Sequence, residues 1–259
     1  MKIILFIAFV FILSFKGGYS GAQNNNIKFR YKEYLFQAKY DTASFTTVLK
    51  IKKRKNVIFK KTYYDRITEI KDYDLDGNGK REILIQNYSG GAHCCTSLFA
   101  GEFKNSKFVF TDSVNWGNSF YEITDLNNDK KQEITGVNDM FAYEFTNYAQ
   151  SQFNLLIFGF DKGKFINVTN KFPDIVSAHI KDLEEELKQY TDTGYKCMQA
   201  DEDTFNTDAG AVKAILAAIT AEYHTLGNVP EGYKLIDQMY ACPDKDRFIQ
   251  ILKTDFKLN

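Results

Sequence analysis

Two acidic stretches 51 residues apart constrain this chain more than any other feature. "DLDGNGKREI" begins at Asp74 and "DLNNDKKQEI" begins at Asp125. Asp74 aligns with Asp125, Asp76 with Asn127, Asn78 with Asp129, and Glu82 with Glu133. Each stretch runs into a strand-like segment, a connection, a second strand ("LFAGEF", "LIFGF"), a turn of Lys, Gly or Asn, and a third strand. Agreement through a whole unit marks a structural repeat, and a period near 50 residues is that of small β-sheet modules. The echo also sets the register of the first stretch. Asp72, Asp74 and Asp76 make one alternating set, but only the frame starting at Asp74 puts a carboxylate, Glu82, at its ninth position and has a counterpart in the second copy.

The rest of residues 28–172 reads as strands. "YLFQAKYD", "FTTVLKI", "NVIFKKTYY", "KFVFTDSV" and "KFINVTN" are short, aromatic and β-branched, and separated by turn chemistry. "FKNSKF" and "FDKGKF" have the form of tight hairpins. The basic run 50–61, "KIKKRKNVIFKK", alternates with Ile and Val as a hairpin with a solvated Lys face does. The chain carries 33 basic and 33 acidic residues, which argues against a sequence-independent nucleic-acid grip.

Across 174–259 the period becomes helical, and four helices are expected. Val212, Ile215, Leu216, Ile219 and Tyr223 share one face, with Asp208 as the expected cap and Gly227 as the stop. Asn228 precedes Glu231 at capping-box spacing. Ile180, Leu183, Leu187 and Tyr190 line another helix, whose Glu184, Glu185 and Glu186 read as acidic surface. The expected class is therefore α+β: a propeller-blade-like antiparallel β-repeat in a partial array, then a helical domain.

Met1-Lys2, the thirteen apolar or small residues 3–15, and small residues at Ser20 and Ala22 have the layout of a secretory signal peptide, residues 1–22. Thirteen residues are too short for a membrane span, and no later segment is apolar enough for one. A secreted or periplasmic location follows as the expectation. In an exported chain cysteines favour disulfides, and the expected pairing is Cys197–Cys242 with Cys94–Cys95 as a vicinal bridge.

The repeated loops have the chemistry of a calcium site. Calcium takes about six to eight oxygens in flexible geometry, and side chains at alternate positions of a tight loop converge on one point. The expected ligands are Asp74, Asp76, Asn78, the Lys80 carbonyl and Glu82, and in the second copy Asp125, Asn127, Asp129, Lys131 and Glu133. Gly79 supplies the sharp turn; Lys130 takes its place in the second copy, at a cost of about 1 kcal/mol for a left-handed backbone. An EF-hand fails because its twelfth position would be Ile85 and strands flank the loop. The competing reading is a pair of metal-free Asx turns.

This D-x-D-x-[DN]-G-x-x-[DE] pattern between strands resembles the calcium loops of VCBS/FG-GAP repeats. The resemblance covers roughly residues 40–172 and is weaker at the second loop, where the glycine is missing. It implies a β-propeller-type array with calcium as the bound ion. Two full repeats and a preceding hairpin fall short of the roughly four to eight blades that close a propeller, so an open array capped by helices is expected.

"SGGAHCCTS" (89–97) lies between two strands, and its Gly-Gly-Ala-His-Cys-Cys run resembles one in secreted proteins with such repeats. A vicinal disulfide is the main reading; a transition-metal site or a His93-activated thiol are the alternatives. His179 and His224 have no clustered partners, and Trp116 in "NWGNSFYE" reads as packing. No G-x-S-x-G, P-loop or H-E-x-x-H occurs. The expected function is a non-catalytic binding or surface-associated module for a protein or glycan ligand. A secreted hydrolase or thiol-dependent enzyme around His93-Cys94-Cys95 is the alternative.

Overall fold

The computed structural model describes residues 25–91, 95–199 and 202–259. The proposed signal peptide lies outside them. Among the described residues, twelve strands form three separate antiparallel sheets of four, each a simple meander, followed by four helices. The first sheet comprises β1 (Asn26–Tyr31), β2 (Tyr34–Asp41), β3 (Thr46–Lys53) and β4 (Asn56–Tyr63). The second comprises β5 (Arg66–Tyr73), β6 (Glu82–Tyr88), β7 (Thr96–Lys104) and β8 (Lys107–Gly117). The third comprises β9 (Tyr121–Thr124), β10 (Glu133–Asn138), β11 (Asn154–Asp161) and β12 (Lys164–Asn167). The array is not a closed propeller.

The first sheet corrects the expectation of a lone preceding hairpin. It is a complete third unit that begins before residue 28, and it lacks the acidic loop. Tyr31 pairs directly with Tyr34, so the β1–β2 connection shrinks to Lys32-Glu33, with Lys32 at φ 51°. Without the loop signature this sheet carries no visible echo of the others.

Turn chemistry sets the hairpins. Asn105-Ser106 and Lys162-Gly163 join β7–β8 and β11–β12 with positive φ at both positions, the primed geometry that matches strand twist. The basic hairpin forms over β3 and β4, where Lys60 and Lys61 are exposed on an edge strand and discourage pairing with another chain.

β6 is buried on both faces, and this joins the sheets. Ile83 and Ile85 pack with Phe36, Leu49, Ile51 and Phe108 between the first two sheets. Leu84 points the other way, packing with Leu98, Trp116, Ile134 and Phe160 between the second and third. Edge-to-face rings, such as Phe36–Phe108 at 5.4 Å, fill the first interface. Trp116 is the packing residue expected; it is 1% exposed and lies against Gly136, where a Cβ would come within 2.7 Å of its ring.

The helices are α1 (Pro173–Thr193), α2 (Asp208–Thr225), α3 (Val229–Met239) and α4 (Lys245–Thr254). α2 is not one-faced as expected: every residue from Ala209 to Glu222 is buried. Its many alanines let α1 and α3 approach closely, so it becomes the centre of the helical core. Its two buried charges are both partnered: Lys213 by Asp244 at 2.9 Å, and Glu222 by His179 at 2.7 Å. Thr207, not Asp208, caps the helix, accepting from the Gly210 N–H; Asp208 sits in the first turn. Asn228 precedes α3 without a side-chain capping bond. Cys197 and Cys242 form a disulfide that ties the segment after α1 to the α3–α4 connection.

Candidate metal centre

The β5–β6 and β9–β10 loops occupy equivalent places in their sheets and are built alike. In the first, Glu82 Oε2 accepts from the Leu75 N–H at 3.0 Å, Asp74 Oδ2 from Gly79 at 2.9 Å, and Asn78 Oδ1 from Lys80 at 2.7 Å. In the second, Glu133 Oε2 accepts from Leu126 at 3.0 Å, Asp125 Oδ2 from Lys130 at 2.8 Å, and Asp129 Oδ1 from Lys131 at 2.8 Å. The backbone matches as well: Gly77 and Asn128 lie at φ 69° and 62°, Gly79 and Lys130 at 82° and 73°. Lys130 adopts the left-handed conformation expected of it.

The loops also touch. The Gln132 N–H donates to the Leu75 carbonyl at 3.0 Å, and a Cβ on Gly77 would sit 3.0 Å from the Lys130 carbonyl oxygen. Asp76 lines a groove of about 380 Å³ together with Asn127, Asp129 and Glu133 of the second loop. Asp72 stands apart, paired with Arg81, which also donates to the Asp72 carbonyl at 2.7 Å.

Electrostatics of the frame favour a cation. Glu82 is 7% exposed, and its pKa is pushed up to about 7, chiefly by burial and further by the charges of Asp76 and Asp74; the Leu75 N–H opposes the shift. Glu133 is raised in the same way by burial, with Asp129 and Asp125 adding to it. Asp74 Oδ1 is buried and accepts no hydrogen bond. A buried carboxylate oxygen without a donor, beside two more carboxylates, is stabilised by a proton or a metal ion.

Among the described residues, no three His, Cys, Asp or Glu side chains converge closely enough to hold an ion as they stand. In the first loop Asp76 accepts from both the Asn78 backbone and its side-chain amide, the latter at 2.6 Å. Ligation in the first loop requires Asp76 and Asn78 to exchange that mutual bond for the ion. The oxygen-only donor set suits calcium better than zinc.

Of "SGGAHCC", Ala92, His93 and Cys94 lie outside the described residues. Gly90 and Gly91 have φ 90° and 98°, and Ser89 and Cys95 close the loop through the Ser89 N–H to the Cys95 carbonyl at 3.1 Å and the Cys95 N–H to Ser89 Oγ at 2.7 Å. Cys95 is disulfide-bonded and so offers no free thiol.

The sequence reading missed His179. Its Nδ1 lies 2.7 Å from Glu222 Oε1, which also accepts from the Leu155 N–H of β11 at 2.6 Å, joining helices to sheet. The partners lie 43 residues apart, beyond any local pattern. Glu186 is likewise not plain surface: it accepts from Gln152 at 2.7 Å, and burial raises its pKa.

A probable thylakoid lumen protein of Synechocystis sp. is 25% identical over 178 residues, covering 67% of this chain and 48% of that protein. The chain thus spans about half the length of the curated relative it matches. No family model matches the chain. No solved structure matches it. Among the described residues, no helix is long and apolar enough to cross a membrane.

Proposed function

We propose that this is an exported calcium-binding protein of the VCBS/FG-GAP repeat type, whose open three-sheet array acts as a non-catalytic binding or surface-associated module. The observation carrying this reading is the buried, donor-less Asp74 oxygen beside Glu82, in a loop whose hydrogen bonds recur at Asp125–Glu133. Asp74, Asp76, Asn78 and Glu82, and their counterparts Asp125, Asn127, Asp129 and Glu133, would hold the ion, whose charge would offset the buried carboxylates and link β5 to β6 and β9 to β10. Its role is structural: it contributes stability as RT ln(1 + [Ca]/Kd), and millimolar calcium outside cells would largely fill a sub-millimolar site. An exported location is supported by the N-terminal pattern and by the relative, a probable thylakoid lumen protein. The disulfide at Cys95 supports a structural role for its segment over a thiol-dependent enzyme.

The test is thermal unfolding of the full chain in EDTA and in millimolar calcium. A higher midpoint in calcium that Asp74→Asn with Asp125→Asn removes supports the proposal. Identical midpoints for the wild type refute it at both loops.

A further inference from the structure

We propose that the outer face of the first sheet docks on an anionic lipid bilayer. Strand alternation divides this sheet in two. Phe36, Leu49 and Ile51 point inward to the core shared with the second sheet. The opposite face carries Lys28 and Arg30 on β1, Lys39 on β2, Lys50 and Lys52 on β3, and Lys60 on β4. Strand register sets them in three adjacent rows. Lys39 stands beside Val48, Lys28 shares a row with Gln37, Lys50 and Lys60, and Arg30 shares one with Leu35 and Lys52. At ordinary strand spacings these charges spread over roughly 14 Å by 13 Å.

The fold assembles this patch without an internal counter-charge. The whole chain balances 33 basic against 33 acidic residues, yet the three rows contain neither Asp nor Glu. Lys50 stands directly opposite Lys60, and like charges so placed destabilise a sheet. Among the described residues none of these cations is held in an ion pair, whereas the neighbouring Lys53 pairs with Glu33 at 3.2 Å. Asp41 lies one row beyond, at the end of β2, where its carboxylate accepts from the Ala43 N–H at 2.9 Å.

The shape of the patch selects the partner. A β-bulge opposite Lys52 inserts Ile58, and Val57 and Ile58 are 50% and 37% exposed at the corner of the basic face. Cations spread in a plane, with apolar side chains at one edge, match a bilayer surface, where phosphates lie in a plane above hydrocarbon. A linear polyanion would meet one row of charges at a time and leave Val57 and Ile58 in water. The inference names the surface for the surface-associated module proposed above and rests on that reading. It does not depend on the metal, since neither acidic loop belongs to the first sheet.

The test is co-sedimentation of the full chain, in EDTA, with vesicles of equal parts phosphatidylglycerol and phosphatidylcholine and with phosphatidylcholine alone, beside the EDTA and calcium melts. Phosphatidylglycerol is expected to increase binding. Each Lys or Arg at an anionic leaflet is worth about fivefold, so Lys50→Gln with Lys60→Gln should weaken binding about thirtyfold. Lys28→Gln with Lys39→Gln, at exposed positions of β1 and β2, should do the same. Lys181→Gln with Lys188→Gln makes the same change of net charge on the exposed side of α1 and should leave binding unchanged. All variants share the wild-type N-terminus, so their losses report the sheet face. Removing the Lys50–Lys60 repulsion should keep or raise the melting midpoint, which separates lost binding from lost folding. Binding that phosphatidylglycerol does not increase overturns the inference, as does binding that neither lysine pair on the sheet weakens. Retention on heparin without vesicle binding overturns it in favour of a soluble polyanion. In each of these cases a calcium-raised midpoint in the same preparation leaves the calcium module standing. Lysine-dependent vesicle binding with coincident EDTA and calcium melts upholds the face and refutes the calcium reading alone.

Discussion

Glu82→Gln separates the electrostatics of the first loop from its packing. The glutamine has nearly the same shape and can still accept from the Leu75 N–H, but it cannot ionise. In the folded protein without metal, the Glu82 pKa is raised from 4.5 to about 7. The folded state therefore holds a proton that the unfolded chain loses between those values, so stability falls as pH rises from 4.5 to about 7 and stays low above that. The cost of ionising Glu82 above pH 7 is about 3 kcal/mol as an upper bound. In EDTA at alkaline pH the variant should therefore be more stable than wild type, by up to about 3 kcal/mol, and should lose this part of the pH slope. On the proposed calcium reading, added calcium should reverse the order. A site with Kd of about 0.1 mM contributes about 2.7 kcal/mol at about 10 mM calcium. The variant should lose the share supplied by the first loop. The assay is a set of thermal and urea melts across pH, with and without calcium. A variant less stable than wild type in EDTA at alkaline pH would refute the electrostatic argument, as would an undiminished calcium increment.

Lys130→Gly should stabilise the chain by up to about 1 kcal/mol in urea melts, because it relieves a left-handed non-glycine residue at φ 73°. Replacing Cys197 and Cys242 with serine removes a cross-link spanning 45 residues and should cost about 4 kcal/mol, read as a lower denaturation midpoint under oxidising conditions. Gly136→Ala should cost about 1–3 kcal/mol, because its Cβ would fall 2.7 Å from the Trp116 ring and 2.6 Å from the Phe120 carbonyl oxygen. A change in tryptophan fluorescence would place the disturbance at that contact.

The sequence alone determined what is local. Residues that need a special backbone, such as Asn105-Ser106, Lys162-Gly163 and Gly79, specify their turns wherever they stand. The loop register was legible because two copies of one pattern can be aligned, and the left-handed Lys130 followed from its place opposite Gly79. Tertiary structure decided what depends on distant partners. The first sheet completes a third unit although its β1–β2 turn carries no acidic residues beyond Glu33, since a sheet is defined by pairing and not by the loop that marks it. α2 is buried on every side only because α1, α3 and the third sheet surround it, which its own periodicity cannot report. His179 meets Glu222, and Tyr121 meets Gln86, across 43 and 35 residues. Periodicity records which face of an element is apolar; only packing decides which polar groups meet.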